Sequence, residues 1–284
     1  MFVIVGMVIV IVSVVTGYMA SHGQLIALWQ PFEVLIICGS ALGAFMIANP
    51  WHVQKRIFKL LPQAFVGSRH NERYYLGLMA LMYTLFFRSR QEGFLAIEDH
   101  IEAPYESELF QTFPDLLRDY EMVEFITDNY RVFILTGLPA HEFEAIMDAE
   151  IEKIAEELVA PGHALNKVAE ALPGFGIVAA VLGIVITMGS IGGAMEVIGT
   201  HVAAALVGTF LGVFFAYGFV GPLAAHLEGL GEHQLKAYNA VKACLISTVS
   251  GFSPGAAVET GRKLLPSESR PTFAELAEYV RAYR

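Results

Sequence analysis

Two prolines, one hydroxyl and a scarcity of charge are the features of this sequence that could do chemistry. Pro173 and Pro222 each stand in a long apolar stretch, near the end that faces the charged part of the chain. Proline removes a helical hydrogen bond and crowds the preceding turn, so each position predicts a kink. Matched kinks in two neighbouring membrane helices make a hinge. Proline is also simply commoner in membrane helices than in soluble ones, which is an architectural reading of the same residues. Thr209 is a polar side chain deep in the second stretch, and its hydroxyl can be satisfied by its own helix backbone. Leu172–Met195 and Val197–Ala225 carry no charged side chain. The nearest acids, Glu33, Glu170 and Glu196, are expected at helix ends. The nine histidines are scattered, and there is no phosphate loop, no Gly-x-Ser-x-Gly and no cysteine pair. Neither an enzyme nor a bound cofactor or metal is expected.

The elements that must position these residues are apolar helices. Of the residues, 55% are hydrophobic and only 16% charged, below the roughly 25% of soluble proteins. No Lys or Arg occurs from Met1 to Gln54 or from Val168 to Leu235. The expected fold is an all-α integral membrane protein, with four transmembrane helices and a large helical cytoplasmic domain. The spans are placed at residues 1–20, 32–49, 171–191 and 201–225, with short periplasmic turns at 21–31 and 192–200. The cytoplasmic domain is placed at 50–170 and a helical tail at 226–284. Residues 1–20 lack a basic leader and are read as a retained span. Lys55, Arg56, Lys59, Arg69 and Arg73 follow the second span, and Lys236 and Lys242 follow the fourth. The positive-inside rule then puts both termini and the long loop in the cytoplasm.

Small residues mark the packing faces. Ala204, Gly208, Gly212 and Ala216 recur at i+4, as do Gly176 with Ala180 and Ala179 with Gly183. Such rows let helix backbones approach closely in lipid. The segment 50–170 holds eleven basic and twenty acidic residues, a balance of -9. Its pattern is helical over Tyr74–Arg90, Phe94–Glu102, Pro114–Leu135 and Ala140–Leu158, with breaks at Gly93, Pro104, Gly137-Leu138-Pro139 and Pro161-Gly162. Arg90, Phe94 and Glu98 share one side of a helix only if Gly93 does not break it. After the fourth span Leu227–Val249 is amphipathic. Thr272–Ala282 forms a last helix, opened by a capping box of Thr272 and Glu275. Cys38 and Cys244 are read as buried small hydrophobes. The net charge of -10 argues against nucleic acid as a partner.

These motifs carry a resemblance. Leu172-Pro173-Gly174-Phe175-Gly176-Ile177-Val178-Ala179-Ala180, Val207-Gly208-Thr209-Phe210-Leu211-Gly212 and Ala216-Tyr217-Gly218-Phe219 leading to Gly221-Pro222-Leu223-Ala224 resemble the MotA family of flagellar stator subunits. Ser89-Arg90-Gln91-Glu92-Gly93, Met147-Asp148-Ala149-Glu150-Ile151-Glu152 and Ala257-Val258-Glu259-Thr260-Gly261-Arg262-Lys263 match as well, so the likeness covers nearly the whole chain. It implies a homopentamer in the bacterial inner membrane, built around a MotB-like partner anchored to peptidoglycan. Proton flow through that complex would turn the flagellar rotor through its protein FliG. By the same resemblance Pro173 and Pro222 couple ion passage to movement, and Arg90, Glu98 and Glu150 belong to the rotor-facing surface. Gly174 departs from the family, which often has Ala there, and loosens the kink. In sodium-driven relatives hydroxyl residues line the ion cavity. Of the matching positions here, Ala180, Gly208 and Thr209, only Thr209 supplies one, so protons are the expected ion. An energy-transducing subunit of the ExbB/TolQ type is one alternative, although those have three spans. A stand-alone secondary transporter is another, although such proteins carry ionisable groups at mid-membrane.

A proton crossing a bilayer needs an ionisable relay, and the apolar stretches supply none. The chain without a partner is therefore expected to be a poor proton conductor. Liposomes containing only the purified chain should show proton leak near that of empty liposomes under an imposed pH gradient. Robust conductance would overturn the inference that a partner supplies the carboxylate.

Overall fold

A computed structural model describes residues 2–281 apart from 68, 69, 94, 190, 191 and 193, and apart from the side chain of Val66. Phe94, the end of the expected third span at Ile191 and the end of the tail helix at Ala282 therefore lie outside the described residues. In chain order the helices are α1 (Phe2–Ala20), α2 (Leu25–Leu28), α3 (Pro31–Ala48), α4 (Trp51–Val66) and α5 (Glu72–Glu92). They continue with α6 (Leu95–Glu102), α7 (Glu108–Gln111), α8 (Pro114–Leu117), α9 (Tyr120–Thr136) and α10 (Ala140–Gly189). Then come α11 (Met195–Phe215), a π-helical turn (Ala216–Val220), α12 (Gly221–Val249), α13 (Pro254–Arg262) and α14 (Phe273–Arg281). No strand occurs among the described residues. Four helical stretches are long and apolar enough to cross a membrane: α1, Leu25–Ala48, α10, and Met195–Val249.

The chain divides into two compact units. The first comprises Met1–Gly67 and Val159–Leu230. Its core is thin: Ile37 and Ala41 of α3 meet Leu172 and Ala179 of α10 and Val207 and Leu211 of α11. α1 buries no residue at all. Ile47 is 90% exposed, and Leu35, Val185, Ile186 and Leu206 are exposed with it. Apolar surface on that scale is unstable in water and is the surface that lipid solvates.

The second unit comprises Ser68–Leu158 and Gly231–Arg284, and has a core of soluble type. α5 is its axis. From Tyr74 to Phe86 every residue except Leu76 is buried, and a helix apolar on all sides belongs in the middle of a bundle. α6, α8, α13 and α14 pack around it. Asn71 caps its start by accepting from the Tyr74 N–H at 3.0 Å, and Gly93 ends it at φ 87°, a conformation that costs glycine little. The Phe125 and Tyr238 rings meet edge-on at 5.0 Å. The expected capping box is present. The Thr272 N–H donates to Glu275 Oε2 at 2.7 Å, and the Glu275 N–H donates to Thr272 Oγ1 at 3.2 Å.

Several sequence expectations need correction. The helix expected to stop at Pro161-Gly162 continues, because α10 runs unbroken from Ala140 to Gly189. Proline inside a helix is costly, but here tertiary contact overrides it, with Gly162 lying directly against the backbone of Ala224 and Glu228. Glu170 is consequently inside α10 rather than at a helix end, and it accepts from Asn166 Nδ2 at 3.0 Å. Pro114–Leu135 is two helices, since Asp119 opens a new one as N-cap. Cys38 is exposed, whereas Cys244 is buried. The tail from Gly231 onward belongs to the same compact unit as Ser68–Leu158.

Asp119 joins α5 to α9. One oxygen accepts from Tyr74 Oη at 2.7 Å and lies 3.1 Å from His70 Nε2, while the other accepts from the Met122 N–H at 3.3 Å. Burial pushes the carboxyl upward, but the hydrogen bonds from His70 and Tyr74 outweigh it and hold it below its ordinary value. A depressed carboxylate stabilises the fold above its unfolded value of ~3.9, and that contribution is lost as pH falls through the folded value. Asp119→Ala should therefore cost about 1–3 kcal/mol near neutral pH. The difference from the unsubstituted chain should shrink below about pH 4. Thermal unfolding of the full chain in detergent at the two pH values measures this.

Candidate ion-pathway site

The small residues of α10 and α11 fulfil the expectation of close approach. A Cβ added at Gly212 would lie 2.7 Å from the Leu172 carbonyl oxygen and 2.9 Å from Gly176 Cα. One added at Gly176 would meet the Gly208 carbonyl at 3.0 Å, and one added at Gly183 would meet Ala205 Cβ at 3.0 Å. The seam on α11 thus uses Ala205, Gly208 and Gly212. Ala204 of the expected row is only half-buried, while Ala205 is buried. A strict i+4 row winds around the helix, and alternating steps of three and four stay on one face.

The expected site residues are distributed along this pair. Pro173 and Ala180 are half-buried in α10 and Thr209 is half-buried in α11. Thr187 and Thr200 turn their hydroxyls back to the Gly183 and Glu196 carbonyls. Thr209 makes no such bond among the described residues. Pro222 is exposed, two residues beyond the π-helical turn Ala216–Val220. Proline offers no N–H to the preceding turn and crowds its carbonyl. The helix widens just before it, so that the Gly221 N–H donates to the Ala216 carbonyl. Sequence reasoning placed a kink here but could not foresee its form as an inserted residue, a feature that recurs at functional sites. Gly218 in the turn lies against Val10 of α1.

Glu33 and Glu196 are in the first turns of α3 and α11, as expected. No charged side chain lies between Leu172 and Met195 or between Val197 and Ala225. Sequence reasoning passed over His201, in the second turn of α11. Its Nδ1 and Glu33 Oε2 are buried with no hydrogen-bond partner among the described residues. Buried polar atoms of that kind require partners from somewhere. No group of three or more His, Cys, Asp or Glu is arranged to hold a metal among the described residues.

The three expected rotor-facing residues all lie in the second unit. Arg90 is exposed in the last turn of α5, and its Nη1 donates to the Phe252 carbonyl at 3.4 Å. It lines an open cavity of about 580 Å³ with Tyr83, Phe87, Gln91 and Ser253. Glu98 is exposed on α6. Gly93 separates the two helices, so Arg90 and Glu98 are not on one continuous helical side. Glu150 is half-buried and accepts from Asn129 Nδ2 at 2.8 Å, which ties α10 to α9.

Four candidate spans among the described residues, with the third and fourth in backbone contact and a π turn before Pro222, define a polytopic membrane protein. Residues 120–240 match the MotA/TolQ/ExbB proton channel family, and residues 4–93 match the N-terminal region of motility protein A. Motility protein A of Salmonella typhimurium is 42% identical over 100% of this chain and 96% of its own length. Chemotaxis protein LafT of Vibrio parahaemolyticus is 40% identical over 97% of this chain and 96% of its own. The solved structure of MotAB from C. jejuni shares the fold, with a TM-score of 0.75 at 20% identity, covering 95% of this chain and 98% of that one. The chain belongs to the motility protein A family and is a flagellar stator subunit of the proton-channel class, seated in the inner membrane.

Gly212→Ala should destabilise the chain by about 1–3 kcal/mol, because the added methyl meets backbone that cannot step aside. Gly174→Ala meets nothing within 4 Å and should be neutral or gain up to about 1 kcal/mol from helix propensity. Unfolding of both variants in the same detergent tests the contrast.

Proposed function

We propose that this chain is the proton-guiding half of a stator whose acid comes from a MotB-like single-span partner. The observation that carries the reading is the α10–α11 pair, sealed backbone to backbone with no acidic or basic residue, histidine apart, in its apolar length. A charge at the bilayer centre costs at least about 3 kcal/mol, so it persists only where it functions. Here the protein supplies walls, one hydroxyl at Thr209, and two proline-marked hinges. Sodium would need oxygen ligands to replace its water shell, and Ala180 and Gly208 offer no hydroxyl beside Thr209. A proton needs only water and a carboxylate.

In this reading five copies surround two partner helices. The unpartnered Glu33 and His201 atoms support contacts beyond a single chain. Pro173 and the widened turn before Pro222 pass the ion's movement to the second unit, which lies in the cytoplasm, as do both chain termini. Arg90 and Glu98, exposed on adjacent helices, meet charges on the rotor protein FliG. Glu150 acts less directly, by holding α9 and α10 together through Asn129.

The ion is tested by motility. Cells relying on this chain and its partner as their sole stator should lose swimming speed on addition of a protonophore. They should be indifferent to removal of sodium at constant pH and osmolarity. Speed that follows external sodium and survives the protonophore would overturn the reading.

A further inference from the structure

The helix that follows the second span has an unpartnered face of unusual composition. α4 carries Lys55, Arg56 and Lys59 and no acidic residue, in a chain whose net charge is -10. Its inner face is seated: Ile57 is buried with Phe45 of α3 and Ala164 of α10, and Val53 and Leu61 pack beside them. Its outer face presents Trp51, Lys55, Phe58 and Pro62 at i, i+4, i+7 and i+11, with His52 and Lys59 alongside, all exposed. Trp51 is 71% exposed and Phe58 63%. One helical side therefore alternates large aromatic rings with ammonium groups.

The level of this face relative to the membrane is set by Gln54. That side chain is only 7% exposed. Its Nε2 donates to the Asn49 carbonyl at 2.8 Å and to the Met46 carbonyl at 3.4 Å, taking up the free carbonyls at the end of α3. Asn49 Nδ2 in turn donates to the Phe45 carbonyl at 2.9 Å. α4 is thus fastened to the last turn of a span, and it packs against α1, which buries nothing of its own. A basic, aromatic helix held at the end of two lipid-exposed spans has the composition of an interfacial helix. Tryptophan favours the headgroup level, and lysines at that level are drawn to anionic headgroups.

We propose that the outer face of α4 is a binding surface for anionic phospholipid, with Trp51 and Phe58 in the acyl boundary and Lys55 and Lys59 on the headgroup phosphates. The assignment rests on α1 and α3 spanning the bilayer.

The test uses the full chain with Trp29→Phe, which leaves Trp51 as the sole tryptophan. The protein is reconstituted into phosphatidylcholine vesicles doped with either dibrominated phosphatidylglycerol or dibrominated phosphatidylcholine at equal mole fraction. Cosedimentation with the vesicles scores insertion separately. The expected result is blue-shifted Trp51 emission, quenched several-fold more effectively by the brominated anionic lipid. That preference should fall by up to about fivefold in Lys55→Gln and approach equal quenching in Lys55→Gln/Lys59→Gln, and it should fall with added salt in the unsubstituted lysine background. Inserted protein whose Trp51 is quenched equally by both lipids, or by neither, would overturn the proposal while leaving the spans intact. The second outcome would mean that another protein surface covers the face. Failure to insert would remove the spans and the proposal together.

Discussion

The first unit depends on a contact in which side chains have been deleted. Gly176 and Gly212 bring two helix backbones within van der Waals distance, with Gly208 and Gly183 extending the seam. In lipid no hydrophobic force drives helices together, so close packing of backbone on backbone must supply the cohesion. Everything around the seam follows from it. Apolar side chains of α10 and α11 away from the seam, such as Val185 and Leu206, are left exposed. The pair carries no charged side chain in its apolar length, and a polar group such as the Thr209 hydroxyl stands out against it.

The second unit obeys different rules. Its core is aromatic and thick, centred on Tyr75, Phe86, Phe110, Tyr130 and Phe143, all buried. Polar links tie its helices together: Asp119 between α5 and α9, Arg131 with Glu102 between α9 and α6, Glu150 between α9 and α10, and Lys242 with Glu144 and Asp148 between α12 and α10. The last set is exposed on its acidic side and contributes little to stability. α10 and α12 each contribute residues to both units.

Much of this was legible in the residues. The absence of charge over Leu172–Met195 and Val197–Ala225 marked the spans, and the glycines marked the seam, because lipid leaves few other uses for such patterns. Gly93 and the Thr272–Glu275 pair marked helix ends through local backbone chemistry, which depends on near neighbours in sequence. The misreadings have a common origin in long-range contact. Pro161-Gly162 reads as a stop until Ala224 and Glu228 are seen against it. That Asn129 stands beside Glu150 is likewise invisible in the sequence. The kinship of the tail with the loop rests on contacts such as the Phe125–Tyr238 rings, far apart in the sequence. Local chemistry cannot announce these partners.

The π turn before Pro222 has a consequence for how the chain tolerates changes in length. A π turn is an α-helix with one residue too many, accommodated in place. Each residue of an α-helix advances the face by about 100°. Removing a single residue between Ala216 and Val220 would let the helix close into regular α-form, and would swing Pro222 and the residues after it by that angle relative to Gly212. Substitutions at Tyr217 or Phe219 leave the count untouched. Residue number across this turn is therefore a phase setting, and insertions or deletions there act on the protein in a way that no exchange of side chains reproduces.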